Sequence, residues 1–166
     1  MEDSTKEPFV HHGLPEDEQL LAAIGRISLR HGQLDNQLRM LVKDLTGVSK
    51  EEALNATQRE GSTQLRERVR KLAKTRLGDG EALVRLQSLL ERSSRVSLKR
   101  NELIHWVWGT KLDGGTMVRV DDHTFQPAPT IAELEIVEES IAAIIDEVVT
   151  ARMSGFLAIA MKPKPT

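Results

Sequence analysis

Between Leu20 and Leu45 the residues Leu20, Ile24, Ile27, Leu34, Leu38, Leu41 and Leu45 recur at alternating steps of four and three. That period lays a single apolar stripe along an α-helix of 3.6 residues per turn. A helix this long is stable only if the stripe is covered, so the rest of the chain has to supply other helices with matching faces. The stripe has one vacancy, and His31 fills it. A histidine there is either a hydrogen-bonded core residue or part of a pocket or interface.

Further helices can be read from their ends. Pro15 followed by Glu16, Asp17 and Glu18 opens the first, with acids on the positive end of the dipole, and Gly47 closes it. Ser49-x-x-Glu52 is a capping box for a short helix to about Gln58, and Gly61-Ser62 breaks the chain. A helix over about Thr63–Leu77 buries Leu65, Val69 and Leu72 and turns its arginines and lysines outward, and Gly78-Asp79-Gly80 forms the next turn. The fourth long pattern, Glu81 to about Trp106, begins as a stripe of Leu83, Leu86 and Leu90. The stripe continues as Ser94, Ser97 and Asn101 before Ile104, a polar half suited to a partner helix, a ligand or a second subunit.

After Trp106 the period changes. Val107 to Val120, with Asp113-Gly114-Gly115 at its centre, reads as a small β-hairpin, and Trp106 and Trp108 either pack where it meets the bundle, the favoured role, or stack on bases. Thr130-x-x-Glu133 caps a last helix carrying Leu134, Val137, Ile141, Ile144, Ile145, Val148 and Val149, then Phe156 and Leu157. The expected fold is an all-α, up-and-down bundle of four main helices and one short one, with a β-hairpin inserted before the last helix. Its limits are a flexible tail over 1–14, a bundle domain over 15–161 and a tail over 162–166.

Composition narrows the functional classes. The absence of cysteine excludes a disulfide scaffold and thiolate metal sites, and fits a reducing cytoplasm. No apolar run approaches the roughly 18 residues of a membrane span, and the acidic start is unlike a signal peptide. The net charge of −2 argues against indiscriminate nucleic-acid binding. Its distribution is uneven: Leu65–Leu77 holds six Lys/Arg against one acid, whereas Ile131–Thr150 holds six acids and no base. The basic stretch either attracts phosphates or lies beside the acidic helix. His11-His12 lacks a third ligand at suitable spacing, and His123, in a loop beside Asp121 and Asp122, is the next-best metal-ligand candidate but reads as solvated, so no metal or other cofactor is expected. Glycine-rich phosphate loops, paired histidine–carboxylate helices and a nucleophile elbow are all missing.

The chemistry-bearing stretch is Lys99-Arg-Asn-Glu-Leu-Ile-His-Trp-Val-Trp-Gly109. Asn101 and His105 are i,i+4 neighbours, and Arg100 lies about 140° round the helix from His105. Arginine offers a fork of donors to a phosphate, asparagine can orient a ring or ligand, and histidine moves a proton near neutral pH. Arg100-Asn101-x-x-x-His105 near the end of a helix in a small all-α chain resembles the R-x(4–6)-H motif of the HEPN superfamily. The resemblance spans about Pro15 to Met161 and implies a metal-independent endoribonuclease, toxin or defence related, with Arg100, Asn101 and His105 at a site composed across a homodimer. It also implies an antitoxin or other regulatory partner. The chain has no tyrosine, so it departs from the branch of that family in which a tyrosine beyond the histidine is modified. On this reading Arg92, Arg95, Lys99, Arg66, Arg70 and Lys74 hold RNA, and His31 is a second pocket histidine. The alternative is a non-catalytic bundle that binds a nucleotide, RNA or a partner protein.

Overall fold

In the computed structural model, which describes residues 10–111, 117–121 and 124–162, four long helices enclose one core. They are α1 (Glu18–Thr46), α3 (Ser62–Leu77), α4 (Glu81–His105) and α5 (Ile131–Met153), with the short α2 (Lys50–Thr57) and α6 (Phe156–Ala160). α1 packs on α3, α4 and α5, α3 also packs on α4, and α5 on α4 and α6. The bundle therefore closes around α1, whose Leu20, Ile27, Leu34, Leu38, Leu41 and Leu45 are all buried with His31 among them. The expected all-α up-and-down bundle with an inserted hairpin is the observed architecture, and no helix is long and apolar enough to cross a membrane among the described residues.

Helix ends follow local chemistry. Asp17, rather than Pro15, is the boundary of α1: its Oδ1 accepts from the N–H groups of Gln19 and Leu20, so the proline falls outside the helix. Ser49 with Glu52 and Thr130 with Glu133 form the two expected capping boxes. The expected continuous last helix is broken. Ser154 and Gly155 both donate to Thr150 O, and α6 restarts at Phe156. An added Cβ on Gly155 would sit 2.9 Å from Ala151 Cα and from Thr150 O, so the chain doubles back there because no side chain intervenes.

The hairpin is part of a larger sheet. β2 (Val107–Lys111) pairs antiparallel with β3 (Met117–Asp121), and β3 with β4 (Thr124–Pro127). A fourth strand, β1 (Val10–His12), pairs antiparallel with the other edge of β2, placing Val10 opposite Lys111 and His12 opposite Gly109. Val10–His12, read from sequence as part of a tail, is thus a strand: a lone inserted hairpin leaves an open edge, and this segment pairs with it. Residues 1–9, the Asp113-Gly114-Gly115 turn, His123 and 163–166 lie outside the described residues. Trp106 and Trp108 pack where the sheet meets the core, and Trp108 Nε1 donates to Leu103 O at 3.1 Å.

Gly155→Ala should destabilise the fold by about 1–3 kcal/mol, because its contacts are with backbone that cannot swing aside. The exposed Gly25, in α1 with no atom within 4 Å of its added Cβ, should behave oppositely, and Gly25→Ala should gain about 0.5–1 kcal/mol. Urea unfolding midpoints of both variants check the pair. Equal shifts would mean that the α5–α6 break does not depend on the glycine.

Candidate functional site

The buried face of α4 runs Leu86, Leu90, Ser93, Ser97, Leu103. It does not pass through Ser94, Asn101 and Ile104 as the sequence pattern suggested. Steps of three and four from Leu90 lead through Ser93 and Ser97 to position 100, so Arg100 occupies the inward seam while Asn101, Ile104 and His105 are exposed. The polar half of α4 is thus not an open surface: its serines face the inside of the bundle.

What they face is a buried polar cluster joining three helices. His31, 4% exposed on α1, places Nε2 2.9 Å from Ser97 Oγ. Arg66 on α3, 7% exposed, donates from Nη1 to the same oxygen at 2.9 Å and from Nη2 to Thr63 Oγ1 at 3.2 Å. Ser97 Oγ donates in turn to Ser93 O at 2.8 Å. A hydroxyl has one proton and two lone pairs; the proton is committed to Ser93 O, so both Arg66 and His31 must donate. Neutral His31 therefore carries its proton on Nε2. Its Nδ1 lies 3.8 Å from Asp35 Oδ2, which accepts from Ser62 Oγ at 2.9 Å.

Burial lowers the His31 pKa below its ordinary value of 6.5, the carboxylate of Asp35 opposes that shift, and the guanidinium groups of Arg100 and Arg66 add to it. Of the two readings of His31, the hydrogen-bonded core residue is the one observed, its partner being Ser97 on α4. Arg66 is a correction. It was expected to face outward with the other basic residues of α3, but Arg66, Val69 and Ala73 form a second inward column at steps of three and four. That spacing was the signal that could have found it. Asp35 and Ser62 carried no comparable signal.

The motif residues are divided between the two faces of α4. Arg100 Nη1 donates to Asn101 Oδ1 at 3.0 Å, while its Nε is buried with no partner among the described residues. His105 is the exposed last residue of α4, on the same face as Asn101, and forms no side-chain hydrogen bond among the described residues. Arg100 and Asn101 are thus joined. Arg100 and His105 are not.

The remaining basic candidates differ in availability. Arg92, an expected RNA contact, is engaged by Glu147 of α5 through two bonds of 2.7 and 2.6 Å, which hold the Glu147 carboxyl below its usual range. Arg95 and Lys99 are exposed with loose contacts to Glu91 at 3.8 Å and Glu102 at 3.4 Å, and Lys74 lies 3.4 Å from the exposed Asp79. Arg70 is exposed, near enough to Arg66 to disfavour its charge. The acidic α5 is met by Arg26 of α1 at 3.0 Å and by Arg92 of α4, rather than by α3. The basic face of α3 is consequently left to solvent.

Among the described residues no group of three or more His, Asp or Glu is placed to hold a metal ion. Comparison with known protein families, curated proteins and solved structures finds no match for this chain.

Because the unfolded chain takes up a proton on this histidine near pH 6.5 and the fold resists it, the neutral side chain stabilises the fold fully above that pH. The contribution is lost as pH falls through the lowered folded value. Thermal midpoints should fall more steeply below pH 6.5 in the wild type than in His31→Gln, whose amide can still donate to Ser97 but does not titrate. Parallel curves would exclude His31 as the source.

Proposed function

We propose that the protein is a metal-independent endoribonuclease whose site is completed by a second copy of the chain. The observation that carries this reading is that Arg100, half-buried with its Nε enclosed, donates through Nη1 to Asn101 one turn before an exposed His105. An anchored fork of donors and a solvent-facing imidazole supply a phosphate clamp and a proton carrier at one helix end. RNA supplies the nucleophile itself. The 2′-oxygen bonds to phosphorus as its proton passes to His105, the bond to the 5′-oxygen breaks, and the products are a 2′,3′-cyclic phosphate and a 5′-hydroxyl. Arg100 neutralises the charge that builds on the phosphoryl oxygens, and Asn101 orients it.

The departing 5′-oxygen needs a proton from the side opposite the attack, which one His105 cannot serve. A two-fold dimer would place the partner subunit's His105 there. The outer face of α4 suits such a contact, since Leu98 and Ile104 are exposed beside Asn101 and His105. The rival reading, a non-catalytic bundle that binds a nucleotide, RNA or a protein, draws support from the inward seating of Arg100.

Purified protein should cleave RNA in EDTA and leave DNA intact. His105→Ala should lose roughly a hundredfold or more of the rate with the fold retained. Arg100→Lys should also be poor, because a point charge does not reproduce the fork. Mixed His105→Ala and Arg100→Ala subunits should recover part of the activity if the site is shared. Full activity of His105→Ala, or cleavage abolished by chelation, would overturn the proposal in favour of the binding protein.

A further inference from the structure

Beside the motif, on the same last turn of α4, lies a groove of about 400 Å3 walled by Glu102, Leu103 and Trp106, by Arg119 of β3, and by Glu133 and Val137 of α5. Its size falls within the range of about 300–1,000 Å3 usual for small-molecule sites. The Arg119 guanidinium lies over the Trp106 ring, 3.7 Å from its centroid, and its Nε donates to Pro127 O at 2.9 Å. A planar cation is thereby held over an indole face before any ligand arrives. Burial lowers the Arg119 pKa, and the carboxylates of Glu133 and Glu102 oppose that shift, yet neither forms an ion pair with Arg119 within 4 Å among the described residues. Glu133 accepts both of its capping bonds from Thr130 on Oε2, so Oε1 is not consumed by the cap. Those bonds keep its carboxyl below the usual range and hence ionised near neutral pH.

We propose that this groove is a guanine subsite, in which a base of single-stranded RNA stacks on the Arg119–Trp106 platform and presents its edge to the carboxylates of Glu133 and Glu102. Stacking on a guanidinium plane or an aromatic ring is open to any base. The acceptors select. Guanine alone carries two adjacent donors, N1–H and N2–H2, to offer to carboxylate oxygens, here the Oε1 atoms that Thr130 leaves on Glu133 and Lys99 leaves on Glu102. Adenine and cytosine set a ring nitrogen acceptor beside their amino group, and uracil flanks its one N–H with carbonyls, so each would direct a lone pair at negative charge. Leu103 and Val137 provide apolar walls for the ring, and Lys99, one turn before Glu102, lines the same groove as a cation for the attached phosphate. The inference takes its biological sense from the ribonuclease reading, whereas its binding test does not require cleavage.

Trp106 reports directly on the groove. In Trp108→Phe, where it is the sole indole, GMP should quench fluorescence at concentrations at least about tenfold below those needed for AMP, CMP or UMP, in line with the discrimination of a bidentate base contact. Glu133→Gln keeps the capping box but replaces the acceptor pair with an amide; it and Glu102→Gln should each erase most of that preference, and Arg119→Ala should weaken all four nucleotides. Calorimetric titration of the wild type should give the same order if Trp108→Phe folds poorly. Oligouridylates carrying a single G should be cut beside it in preference to those carrying a single A. Equal quenching by all four nucleotides, or no binding of GMP in either assay, would overturn the subsite. Guanine-selective binding by a protein that cuts no RNA would uphold the subsite and remove the nuclease, and cleavage without base preference would do the reverse.

Discussion

One hydroxyl ties the bundle together. Ser97 Oγ receives a bond from α1 and one from α3 and gives one to its own helix, so three of the four long helices meet at a single oxygen. Apolar packing alone fixes helix positions loosely, because one leucine face slides on another at little cost; a hydrogen-bond junction inside a low-dielectric core does not tolerate a shift of even 1 Å. The rotation of α4 follows from it. Turning the helix enough to bury Asn101 would carry Ser97 away from His31 and Arg66, leaving Arg66 Nη1 and His31 Nε2 buried without the acceptor they share, each loss costing on the order of 1–3 kcal/mol. With Ser97 pinned inward, Arg100 is the next residue on the seam, and Asn101 and His105 must face out.

This also explains which parts of the fold were legible. The stripe of α1 and its vacancy at His31 were plain because the pattern is long and its period unambiguous. The polar turn of the α4 stripe was plain too, but the choice between Ser93–Ser97 and Ser94–Asn101 was not: the two differ by one residue, and only a partner on another helix decides between them. Arg66 was hidden in a basic run whose other members do face water, although its spacing to Val69 and Ala73 set it apart. Pairing of β1 with β2 joins residues about a hundred positions apart, and the α5–α6 break turns on backbone crowding at Gly155; neither leaves a mark in local pattern.

The placement of charge has a similar logic. Arg26 and Arg30 on α1 and Arg92 on α4 offset the acids of α5 across the bundle surface. These are partly exposed pairs of small energetic weight. Their larger consequence is positional, since α5 meets cations of α1 and α4 through Glu138 and Glu147 while Arg70 and Lys71 of α3 face solvent. A chain of net charge −2 can in this way present one positive face without being a general polyanion binder.

The end of α4 is an unfavourable place for a phosphate unless side chains reverse its polarity. The C-terminus of a helix carries partial negative charge, the opposite of the amide-rich N-terminus that proteins commonly turn toward anions. Here the carbonyls of the last turn are partly spent: Glu102 O accepts from the Trp106 N–H, and Leu103 O from Trp108 Nε1. Lys99 and Arg100 then bring cationic heads to the same turn, and Arg119 adds another from the sheet. The two tryptophans thus serve the proposed site by tying off the oxygens that would repel an anion, while fixing the direction in which α4 ends and, with it, the place of His105.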